Sequence, residues 1–171
     1  MALLSGHRID HWIAGARVAP RGGRYLESLE PSFDRPWVEI PDGDADDVAD
    51  AVAAAKEAYR GPLRAMPAMQ RAALLRATAD QVDRHAEELA TIECRDNGKP
   101  IAEARVGDLP SVSEMLRYWA GAADKIHGET VDIGPGSFNF TRHEPLGVVA
   151  LIVPWNSPLA ILAGVGNPGL R

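Results

Sequence analysis

The sequence predicts an α/β protein, because helically spaced apolar residues from Asp44 to Ile126 give way after Gly128 to a two-fold period and then to an uninterrupted apolar run, GVVALIV, at Gly147–Val153. A layer of helices, a β-hairpin and the first strand of a parallel sheet that has barely begun are the expected parts. The first forty residues read as turns and edge strands. Trp12-Ile13-Ala14 and Arg17-Val18 flank Gly15, and Pro31, Pro36 and Pro41 punctuate the stretch before the first helix. Asp44 can N-cap that helix, whose N-terminus favours Asp46 and Asp47, with Val48, Val52, Ala55 and Tyr59 on one face and Gly61-Pro62 as its stop. A second helix opens at Pro67, places Leu75, Thr78, Val82, Ala86 and Leu89 on one face, and stops at Asn97-Gly98-Lys99-Pro100. A third carries Val112, Leu116, Trp119, Ala123 and Ile126, with Pro110 near its start and Gly128 after its end.

Beyond Gly128, Thr130 to Ile133, a Gly134-Pro135-Gly136 turn and the alternation around Phe138 and Phe140 predict a hairpin. GVVALIV is the β-rich kind of run that parallel sheets bury on both faces, and it ends abruptly at Pro154-Trp155-Asn156. The pattern of the chain thus divides it at about 1–128, 129–144 and 145–171.

Length and charge limit the function classes. At 171 residues the chain is too short for a complete cofactor domain plus a complete substrate domain. A net charge of −6, with only three lysines, gives no basic footprint for nucleic acid. The single cysteine, Cys94, excludes an intramolecular disulfide and a Cys-rich zinc cage, and the start MALLSGHRID lacks the layout of a secretory signal, so a reducing cytoplasm is expected.

The tail admits three readings. Residues 145–170 carry no charged side chain and are long enough to cross a bilayer, but Pro154, Pro158, Pro168 and Asn156 would leave backbone groups that lipid does not satisfy. No membrane partner is expected. Gly164-Val165-Gly166-Asn167-Pro168-Gly169 matches G-x-G-x-x-G letter for letter, yet only Leu170 and Arg171 follow, so the helix that would face a pyrophosphate is missing and a loose glycine-rich end is expected. Asn156, between two prolines and beside an indole at a strand end, is either a turn asparagine serving its own backbone or a preorganised amide donor toward an oxyanion.

Further constellations read more plainly. His7 and His11 have i, i+4 spacing suited to a metal on a helix, but their surroundings predict a strand that splays them. The Asp42, Asp44, Asp46, Asp47, Asp50 cluster lacks the glycine and terminal glutamate of a calcium loop, and helix capping explains it. Arg60, Arg64, Arg71 and Arg76 read as a solvated face.

Five pieces in order point to a family: Asp46-Asp47-Val48 opening an Ala-rich helix to Tyr59, Gln70-Arg71-Ala72-Ala73-Leu74-Leu75, Asp96-Asn97-Gly98-Lys99-Pro100, Leu116-Arg117-Tyr118-Trp119-Ala120-Gly121, and Arg142-His143-Glu144-Pro145-Leu146-Gly147-Val148-Val149 running into Pro154-Trp155-Asn156. From about His11 to about Leu162 the chain resembles the N-terminal portion of the aldehyde dehydrogenase superfamily. The resemblance implies a Rossmann-like cofactor sheet of which only the first strand is present, and an NAD- or NADP-dependent oxidation of an aldehyde to a carboxylate. That chemistry uses a cysteine nucleophile, hydride transfer from a thiohemiacetal and a water activated by a glutamate. By resemblance Asn156 is the oxyanion donor, Ile152, Val153, Pro154 and Trp155 line the nicotinamide cofactor, and Asp96 is an acid that in some members helps bind a structural monovalent cation. The segment from 129 to 143 resembles the hairpin through which members form oligomers, pairing one copy with another.

The departures carry equal weight. Ala160 to Arg171 does not match the family's continuation, so a chain truncated or frame-shifted after the Pro-Trp-Asn motif is expected, without the family's catalytic cysteine and glutamate. Cys94 does not replace the nucleophile, because it lies near the end of a helix whose dipole disfavours a thiolate. The expectation is a family member inactive as an isolated chain. The alternative is a non-catalytic interaction fragment that pairs with full-length family subunits.

Overall fold

The structure is a computed structural model that describes residues 8–166. Its N-terminal part is made of two small antiparallel ribbons. Strands β1 (His11–Ile13) and β2 (Ala16–Val18) pair across Ala14-Gly15, both with positive φ, as the Gly15 turn predicts. Strands β3 (Tyr25–Glu30) and β4 (Arg35–Pro41) form the longer ribbon, with a register shift between Ser28 and Leu29.

Helix α1 (Ala45–Ala58) starts where the capping signal puts it. The Asp44 carboxylate accepts from the N–H groups of Asp46 and Asp47, and the Asp47 carboxylate accepts from the Asp44 N–H, which completes a capping box. The expected apolar face of α1 is only partly covered, however: Val48 and Ala55 are exposed, Val52 and Tyr59 are half-buried, and Asp47 is the residue of the helix that is buried.

The second expected helix is two, α2 (Ala68–Arg84) and α3 (Ala86–Asn97). His85, at φ −108° and ψ 13°, leaves helical geometry although it is neither Gly nor Pro, and tertiary packing accounts for the break. It lets α2 bury Ala72, Leu75 and Ala79 in one cluster with Val112, Leu116, Ala120 and Ala123, while Ala90 of α3 joins Ala104 and Leu109 in another. Thr78 lies outside the buried face and bonds back to the Leu74 carbonyl. A short turn α4 (Ile101–Glu103) and a wide helical turn over Ala104–Asp108 lead into α5 (Leu109–Ala122), which packs helix on helix against α2. Ile126 lies beyond α5 and is exposed.

The hairpin is present but short: β5 (Thr130–Val131) pairs with β6 (Asn139–Phe140) around a turn in which Gly134 and Gly136 have positive φ. At its base the Thr141 N–H donates to the Glu129 carbonyl and the Glu129 N–H to Thr141 Oγ1, each at 2.8 Å. The two segments lie so close there that a Cβ on Gly128 would collide with the Thr141 carbonyl.

Gly147–Val153 departs from expectation. No strand forms there, no parallel ladder exists among the described residues, and Val149, Leu151 and Ile152 are exposed instead of buried. A strand exists only where a neighbour completes its N–H and C=O bonds, and no such neighbour is placed beside this run among the described residues. Helix α6 (Pro158–Gly166) comes next, with Leu159, Ala160 and Ala163 packed on the α2–α5 cluster. Among the described residues no helix is long and apolar enough to cross a membrane. Gly164 and Gly166 belong to α6, while Asn167 to Gly169 of the G-x-G-x-x-G match, and His7 of the His7/His11 pair, lie outside the described residues.

Candidate functional site

The site is built around the turn between Pro154 and Pro158. Trp155 and Asn156 form a tight turn, Pro158 is the first residue of α6, and the Ile161 N–H bonds the Ser157 carbonyl at 3.0 Å. Proline is favoured at that first helical position because its missing N–H would have no partner there, so α6 fixes one side of the turn. Its other side is fixed by side chains from the C-terminal end of α3.

That end is a glycine cap. Gly98 takes φ +76° and its N–H bonds the Cys94 carbonyl at 3.0 Å, while a Cβ there would press on the Pro31 ring. The reversal turns Lys99 back beneath α3. Its ammonium donates to Glu93 Oε1 at 3.1 Å, to Ser157 Oγ at 2.9 Å and to Asp108 Oδ2. An ammonium has three donors, and all three are used. Ser157 Oγ in turn donates to the Asn156 carbonyl at 2.8 Å, and Asn97 Nδ2 reaches the carbonyls of Trp155 and Asn156 at 3.4 Å.

Burial and pairing shift two of these groups. Glu93, only 4 % exposed, is raised above the ordinary glutamate range chiefly by burial, against the pull of Lys99, and its Oε2 has no partner. Burial alone would lower Lys99, but its bonds to Asp108 and Glu93 outweigh that and raise it, so the ammonium stays charged.

The turn so held presents its residues outward. Asn156 is exposed at an open cleft lined also by Lys99, Glu103, Val106, Gly107, Asp108 and Ser157. Ile152 is 98 % exposed and Trp155 76 %, Pro154 is exposed and Val153 half-buried. Together they make an open apolar edge next to a polar amide, and a flat apolar ring can lie against such an edge.

The remaining candidates sit elsewhere. Asp96 is exposed at the end of α3 and accepts from Ser28 Oγ of β3 at 2.6 Å, and among the described residues no group of three His, Cys, Asp or Glu side chains is gathered as metal ligands. Cys94 lies half-buried in the last turn of α3. His11 approaches Asp47 at 3.7 Å. The aspartate cluster is spread over separate tasks, Asp44 and Asp47 on the helix cap, Asp42 paired with Arg24 and Asp50 with Arg21. The Lys99, Glu93, Asp108 and Ser157 cluster escapes sequence reasoning. Asn-Gly-Lys-Pro reads as turn chemistry, and nothing in a linear pattern links Lys99 to a serine 58 positions away.

The aldehyde dehydrogenase family profile matches residues 18–170, and so runs on past Ala160, where the sequence alone suggested a departure from the family. The chain belongs to the aldehyde dehydrogenase family. It is 42 % identical over 159 residues to an aldehyde dehydrogenase of Aspergillus niger, covering 93 % of this chain and 32 % of that protein. It is 44 % identical, also over 159 residues, to a hydroxyisobutyraldehyde dehydrogenase of Mycolicibacterium austroafricanum, with 93 % and 31 % covered. The aldehyde dehydrogenase of Bacillus cereus, solved as its NAD+ complex, superimposes with a TM-score of 0.92 at 37 % identity over 95 % of this chain and 33 % of that one. The chain thus spans about a third of the length of the relatives it matches. Its helices and small sheets are the N-terminal part of the aldehyde dehydrogenase fold.

Proposed function

We propose that this aldehyde dehydrogenase segment supplies the oxyanion amide and one edge of the nicotinamide site for an NAD- or NADP-dependent oxidation of an aldehyde to a carboxylate, and that the 171-residue chain does not carry out the reaction by itself. The observation behind the proposal is the Trp155–Asn156 turn, clamped between α6 and Lys99 with its amide side open. When a nucleophile adds to an aldehyde, charge develops on the carbonyl oxygen, and an amide N–H already in place stabilises that charge without reorganising. Asn156 Nδ2 has that role. Ile152, Val153, Pro154 and Trp155 are open and apolar enough to take one face of the nicotinamide, whose chemistry when bound is to accept hydride. Asp96, held by Ser28, is assigned to the structural monovalent cation by resemblance alone.

The chain's one thiol supports the second half of the proposal. Cys94 is half-buried in the last turn of α3 and is not among the residues that line the cleft at Asn156. A single unpaired cysteine also suits a reducing, cytoplasmic setting.

Two assays test this. The purified chain mixed with an aldehyde and NAD or NADP is expected to form no reduced cofactor above the buffer rate, and turnover abolished by Cys94→Ser would overturn the inactivity. A chimera in which this segment replaces the matching third of the Bacillus cereus enzyme is expected to be active, with Asn156→Ala lowering its kcat about 100- to 1000-fold. An unchanged kcat would remove Asn156 from the reaction.

A second reading is favoured by the hairpin. The Phe138 and Phe140 rings lie tilted against each other, 5.7 Å between centroids, at an exposed two-stranded ribbon, Phe138 being 79 % exposed, with both edges open among the described residues. Such edges take up another strand. In this reading the chain is a non-catalytic fragment that pairs with full-length family subunits through residues 129–143. It is expected to co-purify with a full-length homologue, and a strictly monomeric chain that Phe138→Asp leaves unchanged would count against it.

A further inference from the structure

We propose that Lys99 is the positioning residue for the Trp155–Asn156 turn, acting through Ser157 and drawing its own fixed place from Glu93 and Asp108. The inference rests on the reading that Asn156 is the reacting amide. An oxyanion donor is useful only if its backbone is held in place before the charge develops, and an exposed turn is not held by packing. Between Arg142 and Pro158 the chain has no regular structure, and most of its side chains are exposed. On the side of the turn away from α6, restraint must therefore come from polar contacts.

Lys99 supplies a contact of the strongest available kind. Its ammonium is 13 % exposed at the side chain, charge-assisted on two carboxylates, and spends its third N–H on Ser157 Oγ at 2.9 Å. Each partner comes from a different place: Glu93 from α3, Asp108 from the turn that opens α5, Ser157 from the start of α6. The lysine is thus located by two rigid helical elements and can transmit that location to the turn. The relay is one bond long, because the Ser157 hydroxyl that accepts from Lys99 donates to the Asn156 carbonyl at 2.8 Å. Asn97, two residues before Lys99, closes on the same turn through the Trp155 and Asn156 carbonyls and has its Oδ1 held by the Lys99 N–H at 2.9 Å. Backbone and side chain of Lys99 act on the turn together. Glu93 Oε2, buried without a partner, marks how much polar cost the cluster carries in order to hold one ammonium.

The test is an amide spectrum of the uniformly 15N-labelled 171-residue chain, with no cofactor or substrate present. Lys99→Met keeps the length of the side chain and removes its charge, and Ser157→Ala removes the relay together with the hydroxyl's 3.4 Å contact to Asp108 Oδ1. Both variants are expected to shift the Asn97 side-chain amide signals and the backbone signals of Trp155 to Ser157, while the indole signals of Trp37 and Trp119, which sit on the ribbon and on the helical cluster, stay in place. If Lys99→Met fails to fold, Ser157→Ala decides alone. Unmoved Asn97 side-chain amide signals in Ser157→Ala would overturn the proposal. So would an equal shift of the two indoles, which would make the cluster a general support of the fold. In the chimera, Ser157→Ala is expected to lower kcat and leave KM for NAD within about twofold. Should Asn156→Ala prove silent there while the amide signals still respond, the functional reading fails and the positioning stands.

Discussion

Asp47 shows how much a single side chain can be asked to do. Its carboxylate accepts from the Asp44 N–H at 3.0 Å and from the Arg21 N–H at 2.9 Å, and these backbone donors hold it below the usual carboxylate range against the opposing effect of burial. A group whose folded pKa is depressed stabilises the fold above its unfolded value, about 4, and that contribution disappears as pH falls through the lower folded value. Asp47→Asn is therefore expected to flatten the acid side of a urea-midpoint profile while leaving the difference from the parent largest near neutrality. An identical profile for the two proteins would mean the cap does not couple to pH. Asp44→Ala removes the acceptor for two N–H groups at the same helix start and is expected to cost about 1 kcal/mol in urea unfolding at neutral pH.

At the scale of elements, stability is concentrated where α2, α5 and α6 meet. Leu75 is 3 % exposed and touches a cluster otherwise dominated by alanines, so the helices approach closely and little side-chain rearrangement can fill a void. Leu75→Ala is expected to cost about 2–5 kcal/mol by chemical denaturation. Val48→Ala on α1, at an exposed position, is expected to change the stability by less than about 0.5 kcal/mol. The contrast separates a position inside the helical core from one on an open helix surface. The hairpin has a different dependence. Gly128 faces the Thr141 carbonyl too closely for any Cβ, so Gly128→Ala is expected to open the 129–141 base and speed amide exchange at Glu129 and Thr141 without moving the α2–α5 signals.

Over the whole molecule the apolar surface is unevenly covered. The core lies between helices, while Leu146, Val149, Leu151, Ile152 and Trp155 form an exposed apolar stretch outside any sheet. Such a surface drives association in water. The chain alone is expected to self-associate with rising concentration in sedimentation velocity, and Ile152→Asp, at a position with almost no contact to lose, is expected to weaken that association without lowering the unfolding midpoint. Concentration-independent monomers of the parent chain would show that the stretch is not sticky.

Local chemistry wrote much of this molecule into its sequence. The Asp44 cap, the Gly15 and Gly134-Pro135-Gly136 turns, the Gly98 stop and the existence of the helices depend on residues a few positions apart, and each was legible for that reason. The family itself was legible in the ordered motifs ending at Pro154-Trp155-Asn156. Three features were not. The break at His85 comes from how α3 packs on Ala104 and Leu109, the open state of Gly147–Val153 from the lack of a neighbouring strand among the described residues, and the hold of Lys99 on Ser157 from a contact across 58 positions. Propensity and periodicity describe what a segment can form with itself. Whether a strand finds its ladder, and which ammonium fixes which turn, depends on partners brought together by folding, and that only the tertiary structure decides.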